Sequence, residues 1–105
     1  MNNLKNKKVL ITGGARGIGR QIAIEFAKYG SDIIICDLDK SYIEKNNFQD
    51  IEKLGVSCCG YHLDVTNYNE IIKIRERILN DIGSIDILVN NAGVVFGGNF
   101  LDIPI

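Results

Sequence analysis

The sequence predicts an α/β fold, a parallel sheet with helices packed on both faces. Three observations lead there. Strand-like runs alternate with segments whose apolar residues recur every three or four positions, the period of a helix with one buried face. The run Ile33-Ile34-Ile35-Cys36 is continuous rather than alternating, which marks a strand covered on both sides, as in a parallel sheet. Finally, Val9-Leu10-Ile11-Thr12-Gly13-Gly14-Ala15-Arg16-Gly17-Ile18-Gly19 passes from an apolar run through a glycine loop into the start of a helix. Strands and helices in strict alternation imply parallel strands joined by right-handed crossovers.

Each element follows in chain order. The first strand ends at the glycine loop. The helix after it carries Ile18, Ile22 and Phe26 at four-residue spacing, with Ala23 and Ala27 beside them, as an apolar face. Gly30, after Tyr29, is a left-handed stop signal. The second strand is the continuous run to Cys36. Ser41 and Glu44 have the spacing of a capping box and open a second helix that ends near Leu54, with Gly55 as its stop. Residues 56–63 read as a third strand. Asn67 and Glu70 repeat the capping box, and Ile71, Ile74 and Ile78, with Leu79, form the apolar stripe of the third helix. Gly83 closes it, and Ile85-Asp86-Ile87-Leu88-Val89 is a fourth strand.

Composition bounds the function. A chain of 105 residues is one small domain that buries roughly 65% of its unfolded surface. Apolar content of 46% and charged content of 24% are ordinary for a globular protein. A net charge of −1 offers no field for steering nucleic acid or binding acidic membranes. The polar start, Met1-Asn2-Asn3-Leu4-Lys5-Asn6-Lys7-Lys8, has no apolar core of a signal peptide, and no apolar run approaches the ~20 residues of a membrane span. Cys36, Cys58 and Cys59 sit in strand-like settings, and the neighbours Cys58 and Cys59 point to opposite faces. They read as reduced, buried thiols of a cytoplasmic protein, not as a metal site.

The chemistry lies at the strand ends. A strand that feeds a helix through a glycine loop aims free backbone N–H groups at one spot, and the helix dipole adds positive charge there, which suits a pyrophosphate. Gly13 permits the tight turn, Gly17 lets the backbone approach a ligand, and Gly19 lets helix and strand pack closely. Asp37, some twenty residues beyond the loop, ends the second strand, where a carboxylate can accept hydrogen bonds from ribose hydroxyls. Arg16 pulls the other way, since a basic loop residue could meet a 2′-phosphate. A carboxylate facing that phosphate costs several kcal/mol by like-charge repulsion, so Asp37 favours NAD(H) over NADP(H). His62, the lone histidine, has no visible partner and reads as structural. Lys73, Arg75, Glu76 and Arg77 read as the solvated face of the third helix.

The loop spacing, TGxxxGxG, resembles the short-chain dehydrogenase/reductase family. TGGARGIG, CDLD, LDV and LVNNAG occur in that family's order and cover nearly the whole chain. The resemblance implies a Rossmann-like sheet in the order 3-2-1-4, truncated after the fourth strand, with a ligand crevice at the switch point between strands one and four. It also implies cofactor-binding roles for Gly13, Ala15, Arg16, Gly17, Ile18, Gly19, Asp37 and Leu38. Asp64 and Val65 would meet the adenine, although Asp64 can also be read as a cap for the third helix. Asn91 would lie against the cofactor ribose, with Ala92 and Gly93 leaving room for it. The tail from Val94 to Pro104 resembles the subgroup of retinol, hydroxysteroid and long-chain alcohol dehydrogenases.

The family moves a hydride between nicotinamide and an alcohol or carbonyl carbon, using a Tyr four residues before a Lys. Here Tyr29, Tyr42, Tyr61 and Tyr68 are followed at the fourth position by Ile33, Asn46, Val65 and Ile72. No catalytic residue is therefore carried over. The expectation is the cofactor-binding half of a dehydrogenase, inactive as 105 residues, with a non-catalytic nucleotide-binding or interaction module as the alternative. The fourth strand would leave an unpaired apolar edge open to self-association.

Overall fold

A computed structural model describes residues 4–45 and 48–91. Its elements are β1 (Lys8–Thr12), α1 (Gly17–Lys28), β2 (Asp32–Asp37), α2 (Lys40–Glu44), α3 (Gln49–Glu52), β3 (Cys58–His62), α4 (Tyr68–Asp81) and β4 (Ile87–Asn90). All four strands are parallel and lie in the order β3-β2-β1-β4. The expected fold class and strand order both hold. The third and fourth strands are shorter than the apolar runs that announced them, beginning at Cys58 and Ile87.

The sheet divides the core in two. On one face Leu10, Ile34, Cys36, Tyr61 and Leu63 pack under Ile71, Ile74 and Ile78 of α4. On the other, Val9, Ile11, Ile33, Ile35 and Cys58 pack under Ala23 and Ala27 of α1 and under Phe48 and Ile51. Alternate residues of the continuous runs thus serve opposite faces, which is why those strands show no polar positions. Each fully buried Leu or Ile contributes roughly 1.5–3 kcal/mol through removal of its surface from water.

Two expectations about helices need correction. Ile18 does not join the core face of α1: it is 75% exposed, while Gly19, Ala23 and Ala27 form the buried stripe. Small residues win that position because α1 lies close against the sheet. Ile22 and Phe26 flank the stripe, half-buried. The second helix does not open on a Ser41/Glu44 box either. Asp39 caps α2, its carboxylate accepting from the Tyr42 N–H at 3.1 Å, and Gln49–Glu52 forms a separate short helix. An aspartate two residues upstream outcompetes the serine because an ionised acceptor bonds the helix amides more strongly than a hydroxyl does.

The third helix keeps half of its box. Asn67 accepts from the Glu70 N–H at 3.1 Å, while the Glu70 carboxylate reaches past it to the Asp64 N–H at 3.3 Å. Asp64 is therefore not the cap. Gly30, Gly55 and Gly83 all adopt positive φ after their helices, as stop glycines should.

All three cysteines are free thiols. Cys58 packs on the α1 face and Cys59 on the α4 face, so the pair points apart. Burial pushes the Cys58 thiol up to about 12 and Cys59 up to about 11, and raises Cys36 further, leaving all three neutral at physiological pH.

Candidate functional site

The C-terminal ends of β1, β2 and β4 and the segment after β3 meet around the glycine loop. Gly13 turns the chain at φ +67° and its N–H donates to the Cys36 carbonyl at 2.7 Å, so the loop starts as a continuation of the β1–β2 ladder. Gly17 holds φ +64° at the first position of α1, with open space where a Cβ would stand. The backbone there is accessible, and the first-turn amides of α1 have no acceptor within the helix. No acidic side chain stands in that first turn. An anion is the complement such a terminus lacks.

Gly19 is required by contact. A Cβ on it would overlap the Gly13 carbonyl oxygen and stand 2.7 Å from Asn91 Nδ2. The missing side chain lets α1 sit directly on the loop that precedes it. Asn91 closes the same corner from β4, donating Nδ2–H to the Gly13 carbonyl at 3.1 Å and its backbone N–H to Thr12 Oγ1 at 3.0 Å. Thr12 Oγ1 in turn lies 3.1 Å from Asn90 Oδ1. Thr12 thus ties the ends of β1 and β4 together, a role its place at the end of an apolar run did not reveal.

Asp37 is bonded to the loop itself. Its Oδ2 accepts the Ala15 N–H at 2.9 Å and its Oδ1 accepts the Asp39 N–H at 2.9 Å. Each carboxylate oxygen retains a second lone pair for a ligand hydroxyl. The Ala15 amide is engaged with Asp37, so any anion would be met by the amides after it. Arg16 is exposed, and its guanidinium stands 4.0 Å from the Asp39 carboxylate. Such an exposed pair contributes about 0–1 kcal/mol, but it draws the one loop cation towards a second carboxylate beside Asp37.

Next to this lies a cleft of about 180 Å³ lined by Gly13, Cys36, Asp37, Leu38, Leu63, Asp64, Val65 and Thr66. Leu38 is 65% exposed at its rim, an apolar side chain with no core role. Asp64 Oδ1 accepts from both the Thr66 N–H and its hydroxyl, at 2.9 and 2.6 Å. The Thr66 hydroxyl bond, followed by the backbone one, holds the Asp64 carboxyl below its ordinary range and therefore ionised. Gly13, Arg16, Gly17, Ile18, Gly19 and Asn91 are thus gathered at one corner of the sheet, and Asp37, Leu38, Asp64 and Val65 at the adjoining cleft, with Ala15 bridging the two. Ala92, Gly93 and the tail lie outside the described residues.

The sequence profile described as short chain dehydrogenase matches residues 7–104. The chain belongs to the short-chain dehydrogenase family. Among relatives, it is 32% identical over 102 residues to epidermal retinol dehydrogenase 2 of Mus musculus, covering 97% of this chain and 33% of that one. It is 39% identical over 93 residues to 17-beta-hydroxysteroid dehydrogenase 13 of Homo sapiens, covering 89% and 31%. Among solved structures, NAD+-bound xylitol dehydrogenase superposes with a TM-score of 0.79 at 32% identity, covering 88% of this chain and 35% of that one. The chain spans about a third of the length of these relatives. Among the described residues, no helix is long and apolar enough to cross a membrane.

Proposed function

We propose that these 105 residues hold NAD(H) for an oxidoreductase of the short-chain dehydrogenase type. One observation carries the reading. The Ala15 N–H bond to Asp37 joins the glycine loop to the end of β2, so the loop amides and the sugar-binding carboxylate form one continuous surface. The fit is chemical as well as spatial. The amides of Arg16, Gly17, Ile18 and Gly19 take the diphosphate; Gly17 keeps its cradle free of a side chain, and Gly19 lets α1 pack against the loop that forms it. Asp37 accepts from the adenosine ribose hydroxyls. Leu38 and Val65 cover the adenine faces, and Asp64 accepts from its exocyclic amine. Asn91, with Ala92 and Gly93 after it, stands on the ribose beyond. The xylitol dehydrogenase neighbour, named as bound to NAD+, supports the choice of cofactor.

When bound, that cofactor supplies hydride exchange with an alcohol or carbonyl carbon of a small-molecule substrate. The residues here bind and orient it. None of them is assigned a proton-transfer role, since no Tyr stands four positions before a Lys. The names of the retinol and hydroxysteroid relatives support the subgroup that the tail resembles. Three free thiols suit a reducing compartment such as the cytoplasm.

Cofactor choice is tested by calorimetric titration. Asp37 and the Asp39 carboxylate that draws Arg16 aside both oppose a 2′-phosphate, so NAD+ is expected to bind about tenfold or more tighter than NADP+. Equal affinities overturn the preference, and no heat with either overturns the dinucleotide reading. Among the described residues β4 is last in the sheet order, and its outer edge is proposed as the site of self-association. Sedimentation velocity should show a concentration-dependent dimer, and a monomer at all concentrations excludes it.

A further inference from the structure

Arg20 lies one residue beyond the glycine motif, yet nothing in the family resemblance assigns it a role. Its side chain is only 12% exposed. The guanidinium forks onto the Asp50 carboxylate of α3, Nη2 to Oδ1 at 2.5 Å and Nε to Oδ2 at 3.3 Å. It stands over the Tyr42 and Phe48 rings, 5.2 and 5.8 Å from their centres. Its third nitrogen, Nη1, donates to the Ala15 carbonyl at 3.3 Å.

Ala15 is therefore held from both ends. Its N–H is fixed by Asp37 Oδ2 and its C=O by Arg20 Nη1. Fixing both groups fixes the two peptide planes on either side of Ala15, and the second of these carries the Arg16 N–H. The amides that follow inherit that orientation, since α1 begins two residues later. A planar guanidinium suits this role, because it bonds Asp50 through two nitrogens and still presents a third in the same plane.

We propose that the Arg20–Asp50 pair is a positioning device, which aims the loop amides at a diphosphate by locking the Ala15 peptide from α3. The inference rests on the dinucleotide reading above. Asp50 lies on α3 and lines neither the loop nor the cleft, so any effect on ligand affinity must travel through Arg20.

The test is calorimetric titration of the whole 105-residue chain with ADP and with adenosine, which lacks the diphosphate. Arg20→Lys keeps the charge but cannot bond Asp50 and Ala15 together, and Asp50→Asn weakens the fork. Each is expected to weaken ADP binding about tenfold and adenosine binding less than about twofold. The double variant should lose no more than either single one, because both break the same relay. Amide hydrogen exchange without ligand should show Ala15 less protected in both variants. Unchanged ADP affinity, or an adenosine loss equal to the ADP loss, overturns the proposal. Should Arg20→Lys fail to fold, Asp50→Asn decides, since Asp50 is half-exposed and its replacement is isosteric. Wild-type chain that binds neither ligand overturns the dinucleotide reading itself, and the positioning role with it.

Discussion

Gly19→Ala is expected to lower the free energy of unfolding by about 3 kcal/mol, through forced overlap in a packed corner. Propensity alone argues the opposite: alanine inside a helix is favoured over glycine by about 1 kcal/mol. Packing decides the sign. The added Cβ would meet the Gly13 carbonyl and Asn91 Nδ2, and the first of these is backbone held in the β1–β2 ladder. The carbonyl cannot move aside without breaking the Gly13 N–H bond to Cys36 or the Asn91 bond to its oxygen. Against a typical total of about 5–15 kcal/mol, such a loss is a large share. Urea denaturation followed by circular dichroism measures it. Gly17→Ala is the control, because nothing stands within 4 Å of its Cβ and only the positive φ opposes it. A Gly19→Ala chain as stable as the wild type would show that α1 does not rest on the loop as described.

Much of this arrangement was legible in the chain. The runs around Leu10 and Ile34 announced buried parallel strands because both of their faces are covered, and period alone identified Ile71, Ile74 and Ile78 as the inner stripe of α4. The glycine loop and Asp37 were legible as a pair because they stand at the ends of two neighbouring strands, where the Ala15 N–H bonds the Asp37 carboxylate. Other features were hidden. Four-residue spacing fits both the Ile18-Ile22-Phe26 stripe and the Gly19-Ala23-Ala27 stripe beside it, and hydrophobicity favours the wrong one. Only the close approach of α1 to the sheet shows that the small residues face inward. Ser41 looked like a cap because its spacing to Glu44 is right, but spacing cannot weigh it against Asp39. Arg20 and Asp50 are thirty positions apart, and no local pattern joins them. Thr12 was obscured in the same way, since its partners come from β4.

Replacing Asp37 should produce the largest change in binding. In the Asp37→Ala chain the Ala15 and Asp39 amides lose their acceptor, and the carboxylate proposed to hold the ribose hydroxyls is gone. Truncating a charged hydrogen-bonding anchor of this kind costs about 2–5 kcal/mol, so NAD+ affinity is expected to fall about a hundredfold. NADP+ separates anchoring from mere loosening of the loop. A general loosening weakens both dinucleotides alike. An anchoring carboxylate, by contrast, helps the ribose hydroxyls of NAD+ and repels the 2′-phosphate of NADP+, so its removal should leave NADP+ affinity nearly unchanged or raised. The decisive measurement is therefore the ratio of NAD+ to NADP+ affinity in Asp37→Ala, by calorimetry beside the wild type. A ratio that collapses by about a hundredfold places the sugar on Asp37 and the diphosphate on the loop bonded to it. A ratio that stays at the wild-type value contradicts that placement.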